Sequence, residues 1–166
     1  VHPKNPDIVW AAVMGDLFKS SETRGIYKTT DGGKTWKRTL FANADAGAVD
    51  VSIDPNNPDF VMASTWRVRR TPYSLTSGGE GSGIWRSKDG GETWENLMDK
   101  SGMPQAPIGI SGVAISPVDS DVIYAIIEAN KGGVYKSTDG GETWRNTKRH
   151  RNSLSFRAVP EYHTFN

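Results

Sequence analysis

GIYKTTDGGKTW at residues 25–36, GIWRSKDGGETW at 83–94 and GVYKSTDGGETW at 133–144 align without a gap. This threefold recurrence decides the fold, because self-similarity along a chain is the signature of a repeat architecture. The aspartates of the three boxes, Asp31, Asp89 and Asp139, lie 58 and 50 residues apart. A second segment recurs out of phase with the first: HPKNPDIVWAAV at 2–13, DPNNPDFVMAST at 54–65 and SPVDSDVIYAII at 116–127. Its prolines Pro3, Pro55 and Pro117 are separated by 52 and 62 residues. A unit of about 50–60 residues holding two kinds of turn has the size of one four-stranded propeller blade.

Strands can be read outward from these turns. Val49, Val51 and Ile53 alternate with Asp50 and Ser52 and stop at the Asp54-Pro55 turn, the pattern of a half-buried strand. This is strand A of the second unit. Strand B follows at 60–66, strand C at 83–87 and strand D at about 93–97, giving an antiparallel meander. The third unit repeats it at 110–115, 122–127, 134–137 and 143–147, whereas the first lacks strand A. The expected class is therefore all-β, a propeller sector of about two complete blades and a partial one. The expected division is a partial blade over 1–47, blades over 48–108 and 109–148, and a tail over 149–166 that could open a further blade.

Composition agrees. Val and Ile outnumber Leu by 22 to 5, and the chain holds 18 Gly and 9 Pro, which favours short strands and tight turns over helices. With 20 Lys and Arg against 19 Asp and Glu the net charge is +1, giving no electrostatic reason to expect nucleic acid or an anionic membrane as partner. The longest apolar run, Ile8 to Met14, is seven residues, far below the roughly 20 that span a bilayer as a helix. Absence of Cys leaves the redox compartment open. Val1 with no basic leader and apolar stretch behind it reads as a processed form or a piece of a longer chain.

Each residue of the box has a local job. Asp-Gly between two strands suits a hairpin, since Gly takes positive φ at little cost and Asp bonds the amides of its own turn. Asp31, Asp89 and Asp139, with Gly33, Gly91 and Gly141, are thus expected to be structural. Trp36, Trp94 and Trp144 supply apolar area where one small blade packs on the next, with an indole N–H able to meet a carbonyl. A calcium loop would need further oxygen ligands at alternate positions, which these segments do not supply. His2, His150 and His163 show no ligand spacing either, so neither a metal site nor a cofactor is expected.

The pattern Ser/Thr-x-Asp-x-Gly-x-Thr-Trp resembles the Asp-box, or BNR, repeat of sialidases, xyloglucan-hydrolysing propellers and sortilin-like receptors. With DPNNPD ahead of strand B, it is most similar to the sortilin and xyloglucanase branch, over about residues 2–147. The resemblance implies a propeller, a secreted, periplasmic or luminal setting, and either of two functions. One is a sortilin-like module that binds a peptide or glycan on one face; the other is part of a glycoside hydrolase acting through carboxylates. The arginine-containing strand motif of sialidases is absent, and no catalytic residue of the family maps onto a position here. Whether the chain is part of an enzyme is left open.

Topology narrows where a site would lie. In a four-stranded meander the A–B and C–D turns share one end of the blade, and the B–C and D–A connections share the other. The first end carries the near-identical proline turns and boxes. The second carries B–C connections of unequal length, 15–23, 67–82 and 128–132, and variable loops on a fixed scaffold usually carry function. Within 67–83, Arg67, Arg69 and Arg70 stand beside Trp66, Tyr73 and a flexible Gly-Ser stretch around Glu80. Guanidiniums near an aromatic suit a carboxylate, a peptide terminus or a sugar acid; the alternative is a solvated loop. Asp50, placed to point toward the axis, could pair with Glu128 or Asp16 as a glycosidase carboxylate couple, or these could be single polar residues at a wet channel mouth. The basic run of Arg145, Lys148, Arg149, His150 and Arg151 lacks interleaved aromatics for base stacking and reads as a solvated connection. Expected partners are a peptide or glycan, and further blades or a second copy at the exposed blade edges.

Overall fold

The computed structural model describes residues 1–147. Its described residues form three antiparallel sheets and no helix. The first contains β1 (Val9–Val13), β2 (Gly25–Thr29) and β3 (Lys37–Leu40) in the order β1-β2-β3. The second contains β4 (Ala46–Ile53), β5 (Val61–Arg70), β7 (Gly83–Ser87) and β8 (Glu95–Asn96), with β6 (Leu75–Ser77) paired to the far end of β5. The third is β9 (Ser111–Ser116), β10 (Asp119–Ile127), β11 (Gly133–Ser137) and β12 (Arg145–Asn146), again in meander order. These are sectors of a β-propeller, with the first sheet missing its inner strand. Lys148, which ends the expected third blade, and the tail over 149–166 with Arg149, His150, Arg151 and His163 lie outside the described residues.

Strands B and D differ most from the sequence reading, and in the third sheet they run over Asp119–Ile127 and Arg145–Asn146. Strand D of the second sheet shrinks to Glu95–Asn96, because Trp94 turns back to donate its indole N–H to Gly91 O at 3.2 Å. Strand B runs on to Arg70, and what reads as a flexible loop is a hairpin with Val68 opposite Ser77, Arg69 opposite Thr76 and Arg70 opposite Leu75. Thr71 and Ser74 close it with a backbone bond of 2.9 Å around Pro72, the position at which proline pre-sets the φ of a turn.

The turn end repeats atom for atom. In each box the Asp carboxylate accepts from the preceding Thr or Ser hydroxyl and from both the amide and the hydroxyl of the following Thr. For Asp89 these distances are 2.7 Å from Ser87 Oγ, 2.9 Å from Thr93 N and 2.5 Å from Thr93 Oγ1. Asp31 and Asp139 make the same three bonds. These bonds, led by the Thr hydroxyl, pull each of the three carboxyls down to about 2. The Gly33, Gly91 and Gly141 amides donate to the same Thr or Ser hydroxyl, at φ of 88°, 83° and 92° that a side chain would resist.

Box and proline turn are tied together in every unit: Gly32 N donates to Asp7 O, Gly90 N to Asp59 O and Gly140 N to Asp121 O, at 2.8–3.0 Å. The proline turn is capped by the side chain ahead of its proline. His2 Nδ1 accepts from Lys4 N, Asp54 Oδ1 from Asn56 N and Ser116 Oγ from Val118 N. One local task is met by three different acceptors.

Apolar alternation on the strands packs sheet on sheet. Trp10, Ile26, Ala48, Val61 and Ala63 close the first junction, and Met62, Ile84, Leu97, Val113, Ile115, Ile123 and Ile127 close the second. Side chains of β4 also reach the inner edge of β9: Asp50 Oδ2 accepts from Val113 N at 2.9 Å and Ser52 Oγ from Ile115 N at 3.2 Å. Amides on an open strand edge otherwise invite foreign pairing.

Candidate functional site

At the loop-rich end, the inner ends of the second and third sheets enclose a groove of about 510 Å³. Val49, Asp50, Ile110, Gly112, Ile126 and Glu128 are among the residues that line it. Two of the three carboxylates singled out from the sequence therefore share one groove. Asp16 does not join them. It sits in the connection after β1, where its carboxylate accepts from Phe18 N at 2.8 Å and approaches Lys19 Nζ at 3.9 Å. That connection is wrapped around the buried guanidinium of Arg24, which donates to the carbonyls of Asp16 and Lys19 and to Met14 Sδ. Burial lowers the Arg24 pKa from its ordinary value, partly offset by Asp45 and Asp16.

Both groove carboxylates are pinned by one oxygen. Asp50 Oδ2 is held by Val113 N, and Glu128 Oε2 accepts from Ile110 N and Ser77 Oγ, each at 2.8 Å. Among the described residues Asp50 Oδ1 and Glu128 Oε1 have no protein partner, so each can accept from a ligand hydroxyl. Glu128 lies so close to the chain at Gly109 that a Cβ there would stand 1.9 Å from Oε2; a side chain at 109 would push the carboxylate out of this position. Asp50 also differs from the axis-pointing residue expected from alternation. With Ser52, which shares its face of β4, it looks onto β9 of the next sheet instead.

Ser77 is the residue that sequence reasoning missed. Its hydroxyl accepts from Trp66 Nε1 at 2.9 Å and donates to Glu128, so Trp66 serves the groove through Ser77. Arg67 lies beneath the same hairpin, its Nη1 donating to Gly78 O at 3.3 Å and its amide to Ser82 Oγ at 2.8 Å. Arg69, Arg70 and Tyr73 are exposed toward the tip of the hairpin, Tyr73 at 96%. Arg70 N donates to Leu17 O at 2.9 Å, which fastens the hairpin to the first sheet's connection. The arginine patch and the carboxylate groove are thus separate places on one face. No cluster of three or more His, Cys, Asp or Glu suited to a metal is found among the described residues.

Residues 27–38, 85–96 and 135–146 match the BNR/Asp-box repeat family. Among curated proteins the chain is similar to a probable oligoxyloglucan-reducing end-specific xyloglucanase of Neosartorya fischeri. The two are 29% identical over 89 residues, covering 51% of this chain and 10% of that protein. Among solved structures it superposes on an ancestral GH74 enzyme with a TM-score of 0.61 at 18% identity, covering 91% of this chain and 18% of the other. A GH74 enzyme of Niastella koreensis gives a TM-score of 0.52 at 21% identity, with 89% and 22% covered. The chain therefore spans about a tenth of the curated relative and about a fifth of the structural ones.

Proposed function

This chain is a sector of a BNR/Asp-box repeat β-propeller of the xyloglucanase-like branch, and we propose that its loop-rich face binds a glycan chain in the groove that holds Asp50 and Glu128. The observation that carries the reading is their convergence: two anchored carboxylates, each with an oxygen to spare, beside the exposed apolar side chains of Ile110 and Ile126. Apolar surface next to fixed acceptors fits a sugar ring, whose C–H face is apolar and whose rim is hydroxyl. Gly112 and Ile126 also belong to the open face of the third sheet. A neighbouring blade there would narrow the groove toward its carboxylate end.

Hydrolysis is the second reading, and the shared groove is also what favours it, since a glycosidase needs two carboxylates across one bond. Binding ranks first because both carboxylates already hold scaffold amides. The setting outside the cytoplasm belongs to the same proposal, as the place where such polysaccharides are met.

The test is calorimetric titration of the protein with xyloglucan oligosaccharides, with a basic and an acidic peptide as controls. Binding of the glycan that falls at least ~10-fold in Glu128→Gln, with the fold unchanged, supports the reading. Equal affinity in that variant, or capture of a peptide alone, overturns it. Release of reducing ends that is lost in Asp50→Asn would move the assignment to hydrolysis.

A further inference from the structure

The two sheet-to-sheet junctions are built alike. At the first, Lys28 on β2 lies opposite Trp10 on β1, its Nζ 5.6 Å from the indole centroid. Lys28 pairs with Glu92 Oε1 at 2.8 Å, and Trp10 Nε1 donates to Gly90 O at 2.9 Å. At the second, Arg86 on β7 lies opposite Met62 on β5. Arg86 donates to Gly140 O at 2.6 Å and pairs with Glu142 Oε1 at 2.7 Å. In both cases the receiving groups are the first glycine carbonyl of the next box and the glutamate that follows its Gly-Gly pair.

The third sheet carries the donating half of this arrangement on an open face. Lys136 on β11 lies opposite Tyr124 on β10, its Nζ 5.3 Å from the ring centroid, repeating the Lys28–Trp10 pair. Tyr124, Ile126 and Val134 are 40%, 46% and 40% exposed, whereas Met62, Ser64 and Ile84 at the same register of the second sheet are fully buried. Among the described residues Lys136 has no acidic partner. A repeat with an uncovered apolar face needs a neighbour.

We propose that the Tyr124–Lys136 face docks a further Asp-box blade bearing a glutamate directly after its Gly-Gly pair, and that this box position governs which blade follows which. Charge complementarity identifies the occupant, since both junctions in the chain place a base against that glutamate. The first box has Lys34 there, and Lys34 is exposed. A second copy arriving head to tail would set lysine against Lys136, so the wild-type chain is matched to a different blade rather than to itself. The inference rests on the junctions and not on what the groove binds, although Ile126 belongs to both the docking face and the groove.

The experiment is a charge-reversal cycle on the full chain: wild type, K34E, K136E and K34E/K136E, followed by sedimentation velocity with thermal melts as a folding control. K34E creates the Lys–Glu pairing of the first junction and K136E its reverse, and each is expected to self-associate ~10-fold more tightly than wild type, an advantage that shrinks in about 1 M salt. The double variant restores like charges and should return to the wild-type value. Four indistinguishable dissociation constants, or four monomers, would overturn the proposal. So would a double variant that associates as tightly as the singles.

Discussion

The two ends of the sheets obey different rules. At the turn end, three boxes and three proline turns repeat the same bonds, and even the acceptors that vary, His2, Asp54 and Ser116, do one task. At the loop end the connections diverge: one B–C connection wraps a buried arginine, one becomes a hairpin, and one is a few residues long. Repetition marks what every blade needs in order to fold and stack. Chemistry that a single site needs has to come from where the units disagree.

That contrast can be tested at both ends. The largest effect is expected from acid. Four turn-end carboxyls, Asp31, Asp89, Asp139 and Glu142, are held at about 2 by hydrogen bonds, with Lys100 and then Arg86 acting on Glu142. Their folded-state values lie below the unfolded ones of 3.8 and 4.5. The stabilisation is therefore complete above about pH 5 and lost as pH falls through about 2. Urea midpoints should drop steeply across that window; a flat profile would break the picture of a carboxylate-held turn end.

Arg86→Ala should come next, at about 2–3 kcal/mol in urea melts. It removes a guanidinium of 2% side-chain exposure, and the figure is discounted from that of a fully buried pair because Glu95 and Glu142 are each 46% exposed. At the loop end, Ser77→Ala should cost about 1 kcal/mol. It should also weaken glycan binding by freeing Glu128, an effect that Ser77→Thr would rescue in part. Smallest of all, Arg69→Ala with Arg70→Ala should change stability by no more than about 0.5 kcal/mol, as exposed positions do. If glycan or peptide capture nonetheless disappears in that pair, the site moves from the groove to the hairpin.

The legibility of the sequence divides along the same line. The boxes and proline turns are local, their roles fixed by residues within a few positions of one another, so Asp89, Gly91 and Trp94 could be assigned from spacing alone. The groove depends on pairings between distant segments. Ser77 meets Glu128 only because β6 folds back onto β5, and the cue for that hairpin, a Pro72 turn following the alternation of Trp66, Arg67 and Val68, was masked by the Gly-Ser stretch after it. Asp16 was placed by treating the ends of strands B as equivalent, and Asp50 by alternation along strand A. The first failed because Arg24 gathers its own loop around itself; the second shifted because its face of β4, shared with Ser52, looks onto the neighbouring strand β9.

The box tryptophans occupy one slot in three neighbourhoods: Trp36 is 45% exposed, Trp94 is half-buried against Thr39 of the preceding sheet, and Trp144 is 5% exposed. Each indole sits in a different solvent environment while keeping the same bond to its box glycine. The chain thus carries a built-in optical gauge of stacking order. Emission from Trp36 should be red-shifted and open to quenching by iodide, that from Trp144 blue-shifted and shielded, and arrival of a blade in front of the first box would be read as a change of colour.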